Sequence, residues 1–127
     1  ATVPEATIGA IDALSDNLFT LITGGYDAKV NYKNLASKIL KSKIRILILF
    51  EPTGKKILNQ IKKKKRKINL KIFFPKNIQE AVKLAFSLTP KKKSCLFSPA
   101  SPSFGLFRNY KERGNLFKKF VKKYGKN

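Results

Sequence analysis

The stretch KIRILILF, Lys43–Phe50, decides how the chain is to be read. From Ile44 to Phe50 only Arg45 interrupts an apolar, isoleucine-rich run, which Glu51-Pro52 then ends. A strand with one wet face would alternate polar and apolar residues. A continuous run fits a strand covered on both faces, as in a parallel sheet.

Working outward, short apolar runs alternate with helix-like segments. Upstream, PEATIGAIDALSDN (4–17) reads as a helix with Pro4 in its first turn and Thr2 and Glu5 in a capping-box pattern. Ile8, Ile11 and Leu14 form its buried stripe. NLFTLIT (17–23) reads as a strand stopped at Gly24-Gly25, and NYKNLASKILKS (31–42) as a helix through Leu35 and Ile39. Downstream, Glu51-Pro52-Thr53 starts a helix carrying Ile57, Leu58 and Ile61, before the run KKKKRK (62–67). INLKIFF (68–74) is a third strand. Asn77 and Glu80 cap IQEAVKLAFSL (78–88), with Ile78, Ala81, Val82, Ala85 and Phe86 expected on one face. SCLFSPA (94–100) is the last strand, and a final helix places Leu116, Phe117, Phe120, Val121 and Tyr124 on one side.

Repeated strand–helix units predict an α/β fold, a Rossmann-like and mostly parallel sheet with helices on both faces. In such sheets ligands bind outside the carboxyl ends of the strands. Three segments are expected at that rim: Gly24–Lys29, Glu51–Gly54 and Ser98–Phe104.

Composition narrows the chemistry. The 127 residues include 28 Lys and Arg against 7 Asp and Glu, a formal charge of +21, with no histidine and one cysteine. Without histidine there is no Ser-His-Asp or Cys-His catalysis and no usual zinc site. A lone Cys95 forms no internal disulfide and suits a reducing compartment, which points to the cytoplasm. No apolar run approaches the ~18 residues of a membrane span, and the N-terminus lacks a signal-peptide layout. The charge has two readings, a polyanionic partner or compositional drift. Only Arg45, Arg66, Arg108 and Arg113 are arginine, whereas phosphate-gripping and base-reading surfaces favour the bidentate guanidinium. Drift is therefore preferred. The runs at 62–67, 91–93 and 118–123 are read as solvated helix ends and loops, with no specific nucleic acid and no membrane as partner. Self-repulsion favours a monomer. EPTGKK (51–56) holds a Gly-Lys pair but no G-x-x-x-x-G-K-[ST] loop, and reads as a helix start after a strand.

ATVPEATIGAIDAL (1–14), GGYDAKVNYKNLA (24–36), EAVKLA (80–85) and LFSPASPSFGLFRNYKERGNLFKKFV (96–121) follow in order at natural spacing. Together they resemble the C-terminal domain of the Mur ligase family, in its D-glutamate-adding branch. The resemblance covers almost the whole chain and is most specific in the last block. The His-His-Pro run of the alanine-adding relatives and the Asn-Pro-Arg motif of the diaminopimelate- or lysine-adding ones are absent.

The resemblance implies a three-domain ATP-dependent ligase of peptidoglycan synthesis. This chain would be a single domain, 1–127, that receives the incoming amino acid. The N-terminal and central ATP-binding domains would lie in a longer protein, an expectation in keeping with a chain that opens directly on a helix cap. D-glutamate, UDP-N-acetylmuramoyl-L-alanine and ATP are the implied partners. ATP and Mg2+ would be held mainly by the central domain, and the fragment alone would be inactive, with no catalytic residue and no metal site of its own.

By the same resemblance, Ser103, Phe104, Tyr110, Lys29 and Thr2 would bind D-glutamate, while Gly24, Gly25 and Asp27 form a loop on the nucleotide side. Lys29 stands one residue later than the family's lysine, after Ala28. Val3 replaces an asparagine, and Pro102 and Gly105 replace a small residue and an aspartate. These departures leave room for a related amino-acid ligase of altered specificity. The competing class is a lysine-rich α/β module that binds nucleic acid or an anionic surface.

Overall fold

The computed structural model describes residues 3–25 and 30–98. Four strands, β1 (Leu18–Gly24), β2 (Ile46–Phe50), β3 (Lys71–Phe73) and β4 (Ser94–Phe97), alternate with α1 (Val3–Leu14), α2 (Lys33–Lys41), α3 (Thr53–Lys64) and α4 (Ile78–Leu88). All strand pairs are parallel, in the order β3-β2-β1-β4. The expected α/β, Rossmann-like sheet is the one found.

Every residue of β2 is buried, and its side chains divide strictly between two cores. Leu47 and Leu49 join Leu18 and Leu21 of β1 beneath Ile11 of α1, Leu35 and Ile39 of α2, and Ile57 and Ile61 of α3. Ile46, Ile48 and Phe50 point the other way, with Ile22, onto Ala81 and Ala85 of α4. Three helices therefore cover one face and α4 the other. This is why the sequence of β2 shows no alternation: neither face meets water.

Local chemistry sets the boundaries. Asn77 takes extended backbone and its Oδ1 accepts the Glu80 N–H at 2.8 Å, a side-chain cap on α4. Asn31 Oδ1 does the same for the Lys33 N–H at 2.8 Å, ahead of α2. α1 stops where Ser15 turns to φ 51, and a short 3-10 turn, Ser15–Asn17, leads into β1.

Two expectations need correction. The third strand spans Lys71–Phe73 rather than 68–74. It is an edge strand that finds partners only opposite Ile46–Ile48, while Ile68 and Leu70 pack onto the core as a lead-in. Phe86 is not on the buried face of α4 but 40% exposed. The packed stripe runs through Ile78, Ala81, Ala85 and Leu88 at helical spacing, with Leu84 beside it, and Phe86 falls past its margin. Thr2 as a cap, the Pro99-Ala100 end of the last strand and the final helix lie outside the described residues.

These assignments separate the loss of a buried side chain from the loss of an exposed one. Leu47→Ala, in the fully buried strand, should lower unfolding free energy by about 2–5 kcal/mol in a denaturant titration. Phe86→Ser, on the exposed side of α4, should change it by less than about 0.5 kcal/mol.

Candidate functional site at the carboxyl ends of the strands

β1 leads through α2 to its neighbour β2, and β2 leads through α3 to β3, so the sheet first grows to one side. The chain then crosses by α4 on the opposite face and lays β4 on the other side of β1. The growth direction therefore reverses between β1 and β4. In open α/β sheets such a reversal leaves a crevice at the carboxyl ends of the two strands, where ligands bind.

Gly24 and Gly25 form the β1 side of this crevice, at φ 103 and φ 117. A Cβ on Gly24 would collide with the Phe50 carbonyl oxygen of β2, so the position needs both glycine's backbone freedom and its lack of a side chain. The Gly25 N–H donates to Phe50 O at 3.0 Å, and the Thr53 N–H donates to Gly25 O at 3.1 Å. These bonds tie the glycine turn to the start of α3. Gly54, in the first turn of α3, completes the fit, because a Cβ there would stand 2.8 Å from that of Leu49. The surface pair Lys55–Glu51, at 3.1 Å, adds little to this arrangement, since exposed ion pairs contribute about 0–1 kcal/mol.

The β4 side is fixed by Ser98, whose N–H donates to Ile22 O at 2.9 Å. The Ser98 and Thr7 hydroxyls share a hydrogen bond of 2.9 Å. Thr7 is fully buried on α1, so the start of the first helix is pinned to the exit of the last strand, 91 positions away in sequence. Sequence reasoning missed Thr7. The available signal was a hydroxyl in line with the apolar stripe of Ile11 and Leu14. Thr23, the residue before Gly24, is also buried, and its Oγ1 has no hydrogen-bond partner among the described residues.

Of the residues expected to form the site, the structure brings Gly24 and Gly25 to the predicted rim. Thr2, Asp27, Lys29, Ser103, Phe104 and Tyr110 lie outside the described residues. Among the described residues no group of three or more Cys, Asp or Glu side chains stands together in a way that would hold a metal ion. None of the described helices is long and apolar enough to cross a membrane.

Cys95 is the one thiol, on β4 against the core beneath α4. Burial pushes its pKa from an ordinary 9.0 up to about 12. A thiol held neutral in this way is a poor nucleophile, so Cys95 serves packing.

Two outcomes follow. Gly24→Ala should destabilise the fold by roughly 1–3 kcal/mol from backbone strain alone, with a further loss from the collision, as measured by thermal and denaturant unfolding. Because the folded pKa of Cys95 is raised, the stability from its neutral thiol is complete below the unfolded value. It should fade as pH climbs from 9.0 towards about 12. Cys95→Ala should remove that alkaline dependence, and in the parent chain iodoacetamide should label the thiol only as the protein unfolds.

No protein-family model matches the chain. Curated proteins do. The UDP-N-acetylmuramoylalanine–D-glutamate ligase of Thermoanaerobacter sp. (strain X514) is 39% identical over 120 residues, which is 94% of this chain and 26% of that protein. The ligases of the same name from Aquifex aeolicus and Acetivibrio thermocellus are 36% and 33% identical over 95% of the chain, covering 28% and 26% of their own lengths. The chain thus spans about a quarter of the relatives it matches. By this sequence identity, the chain belongs with the C-terminal domain of the UDP-N-acetylmuramoylalanine–D-glutamate ligases, the MurD branch of the Mur ligases.

Proposed function

We propose that the chain is the amino-acid-binding domain of an ATP-dependent ligase that joins D-glutamate to UDP-N-acetylmuramoyl-L-alanine in peptidoglycan synthesis. One observation carries this reading. The Thr7–Ser98 hydroxyl bond and the Gly25–Phe50 backbone bond bring three anchors, Thr7, Ser98 and Gly25, to the reversal point of the sheet. From these anchors lead the segments that hold every residue assigned to D-glutamate. In sequence, Lys29 follows Gly25, Ser103, Phe104 and Tyr110 follow Ser98, and Thr2 precedes α1.

The chemistry suits an acidic amino acid. The Ser103 hydroxyl and backbone N–H groups donate to the side-chain carboxylate, and the Lys29 ammonium supplies the opposite charge. Tyr110 and Phe104 cover the aliphatic part of the ligand. Thr2, which precedes α1 in sequence, contributes a further hydroxyl. Held in this way, the amino group of D-glutamate is directed out of the crevice towards the activated alanyl carboxylate.

The other parts lie in the remaining three quarters of the longer protein. There ATP would transfer its terminal phosphoryl group to the alanyl carboxylate, releasing ADP. The amine of D-glutamate would attack the acyl carbon, form the amide, lose a proton and expel inorganic phosphate. Magnesium held there would supply charge neutralisation for the phosphates. The Gly24-Gly25 turn lets backbone approach the nucleotide side, with Asp27 next to it. Closure of this domain over the acyl phosphate excludes water. The longer protein works in the cytoplasm, and this domain is monomeric.

The test is a chimera in which this chain replaces the matching quarter of the Thermoanaerobacter ligase. Phosphate release should depend on D-glutamate. Ser103→Ala and Lys29→Ala should each raise the KM for D-glutamate by about tenfold or more, the loss of one charge-assisted hydrogen bond. The KM for ATP should stay unchanged. Unaltered D-glutamate saturation in both variants removes these residues from the site.

A further inference from the structure

Two of the lysine runs that composition leaves as solvated ends, 62–67 and 91–93, are gathered by the fold at one end of the sheet, while the run at 118–123 lies outside the described residues. In a parallel sheet with helical connections each helix runs against the strands, so helix C-termini and strand starts share an end. Backbone bonds define it here. The Arg45 N–H donates to Phe19 O and the Lys71 N–H to Arg45 O, each at 2.9 Å, which sets the starts of β1, β2 and β3 side by side. Lys93 Nζ donates to the Asp16 carbonyl at 3.3 Å, which brings the start of β4 to the same edge. The exposed side chains of Lys41, Lys43 and Arg45 and the exposed segments Lys62–Lys67 and Lys91–Lys93, with Lys71, all lie at this end. Among the described residues at the carboxyl end, by contrast, Glu5, Glu51 and Glu80 come close to offsetting Lys33, Lys55, Lys56 and Lys76.

Helix dipoles do not explain the asymmetry. They account for cations in the last turn of a helix, such as Lys62–Lys64. They do not account for Lys65–Lys67, Lys71 and Lys91–Lys93, which lie outside any helix. Drift in composition would load both ends alike.

We propose that this amino end is a docking surface for an anionic lipid bilayer. Its cations are almost all ammonium groups, spread across the starts of all four strands, and only Arg45 and Arg66 carry the guanidinium fork that grips nucleic-acid phosphates. Phe86, 40% exposed on the C-terminal half of α4 that leads to Lys91–Lys93, supplies an apolar ring at headgroup depth. Each ammonium close to an anionic leaflet strengthens attachment roughly fivefold, and several together make it firm but salt-sensitive. The inference goes beyond the ligase reading and does not rest on it. Docking through the amino end leaves the carboxyl rim pointing away from the surface.

Cosedimentation of the chain with phosphatidylcholine vesicles, with and without phosphatidylglycerol, tests it. Binding should require phosphatidylglycerol and fall steeply with salt. Replacing Lys63, Lys64, Lys65 and Lys67 together by Gln should weaken it more than about tenfold. The matched set Lys33, Lys55, Lys56 and Lys76 to Gln, at the other end, should cost far less. Phe86→Ser should weaken the binding that persists at high salt. Circular dichroism melts establish that each variant is folded. Equal binding to both vesicles, equal loss in the two lysine sets, or tighter retention of an RNA or DNA duplex than of anionic vesicles at the same salt overturns the proposal.

Discussion

The strand Ile46–Phe50 is buried on both faces, and this constraint organises the rest of the molecule. Five residues in succession must be kept from water, so helices must lie on both sides of the sheet. Its backbone groups must also be paired along both edges, because burying them unpaired costs more than the side chains gain. β1 and β3 meet that need, each in parallel register. Parallel neighbours in turn require crossover helices, which supply the apolar faces of α2, α3 and α4. The fold is thus a consequence of where one stretch of chain cannot be exposed.

The same strand shapes the candidate site. Phe50, its last residue, presents the carbonyl oxygen that accepts the Gly25 N–H. That contact is possible only because Gly24 brings bare backbone up against β2. The glycine turn is therefore set by packing before any ligand is considered. On the far side of β1, Ser98 is fixed by Ile22 and by Thr7, so the lip of the crevice consists of hydrogen-bonded backbone and buried hydroxyls. Rigid anchors of this kind suit a site in which a reacting amine must be aimed.

What was legible in the sequence followed from local physics. The uninterrupted run of β2, the Asn77 cap and the Gly24-Gly25 stop each depend on near neighbours and were read correctly. What was not legible depended on distant partners. The length of β3 is set by how much of β2 it can pair with, and the exposure of Phe86 by how α4 is rotated over the sheet. Strand order, and with it the reversal beside β1, comes from pairings between residues far apart in the chain. Thr7 looked like one more small residue of an amphipathic helix until Ser98 stood opposite it. The lysine runs at 62–67 and 91–93 carried a charge but no direction until the helices turned their ends to one side.

The separation of the two ends bears on whether one domain can combine an acidic ligand with so large a cation surplus. A strand of five residues is about 17 Å long. The Debye length at physiological ionic strength is about 8 Å. The ammonium groups at the amino end therefore stand some two screening lengths from the crevice. They neither steer a small carboxylate into the site nor hold it in a competing one. Recognition at the rim must come from groups placed there, which is why the nearly balanced charge around Glu51 and Lys55 matters. A domain with its lysines spread evenly over both ends would carry the same formal charge and offer an acidic ligand many poor sites around one good one. Among the described residues, gathering the lysines at the far end leaves the crevice nearly balanced in charge, as the proposed selective site requires.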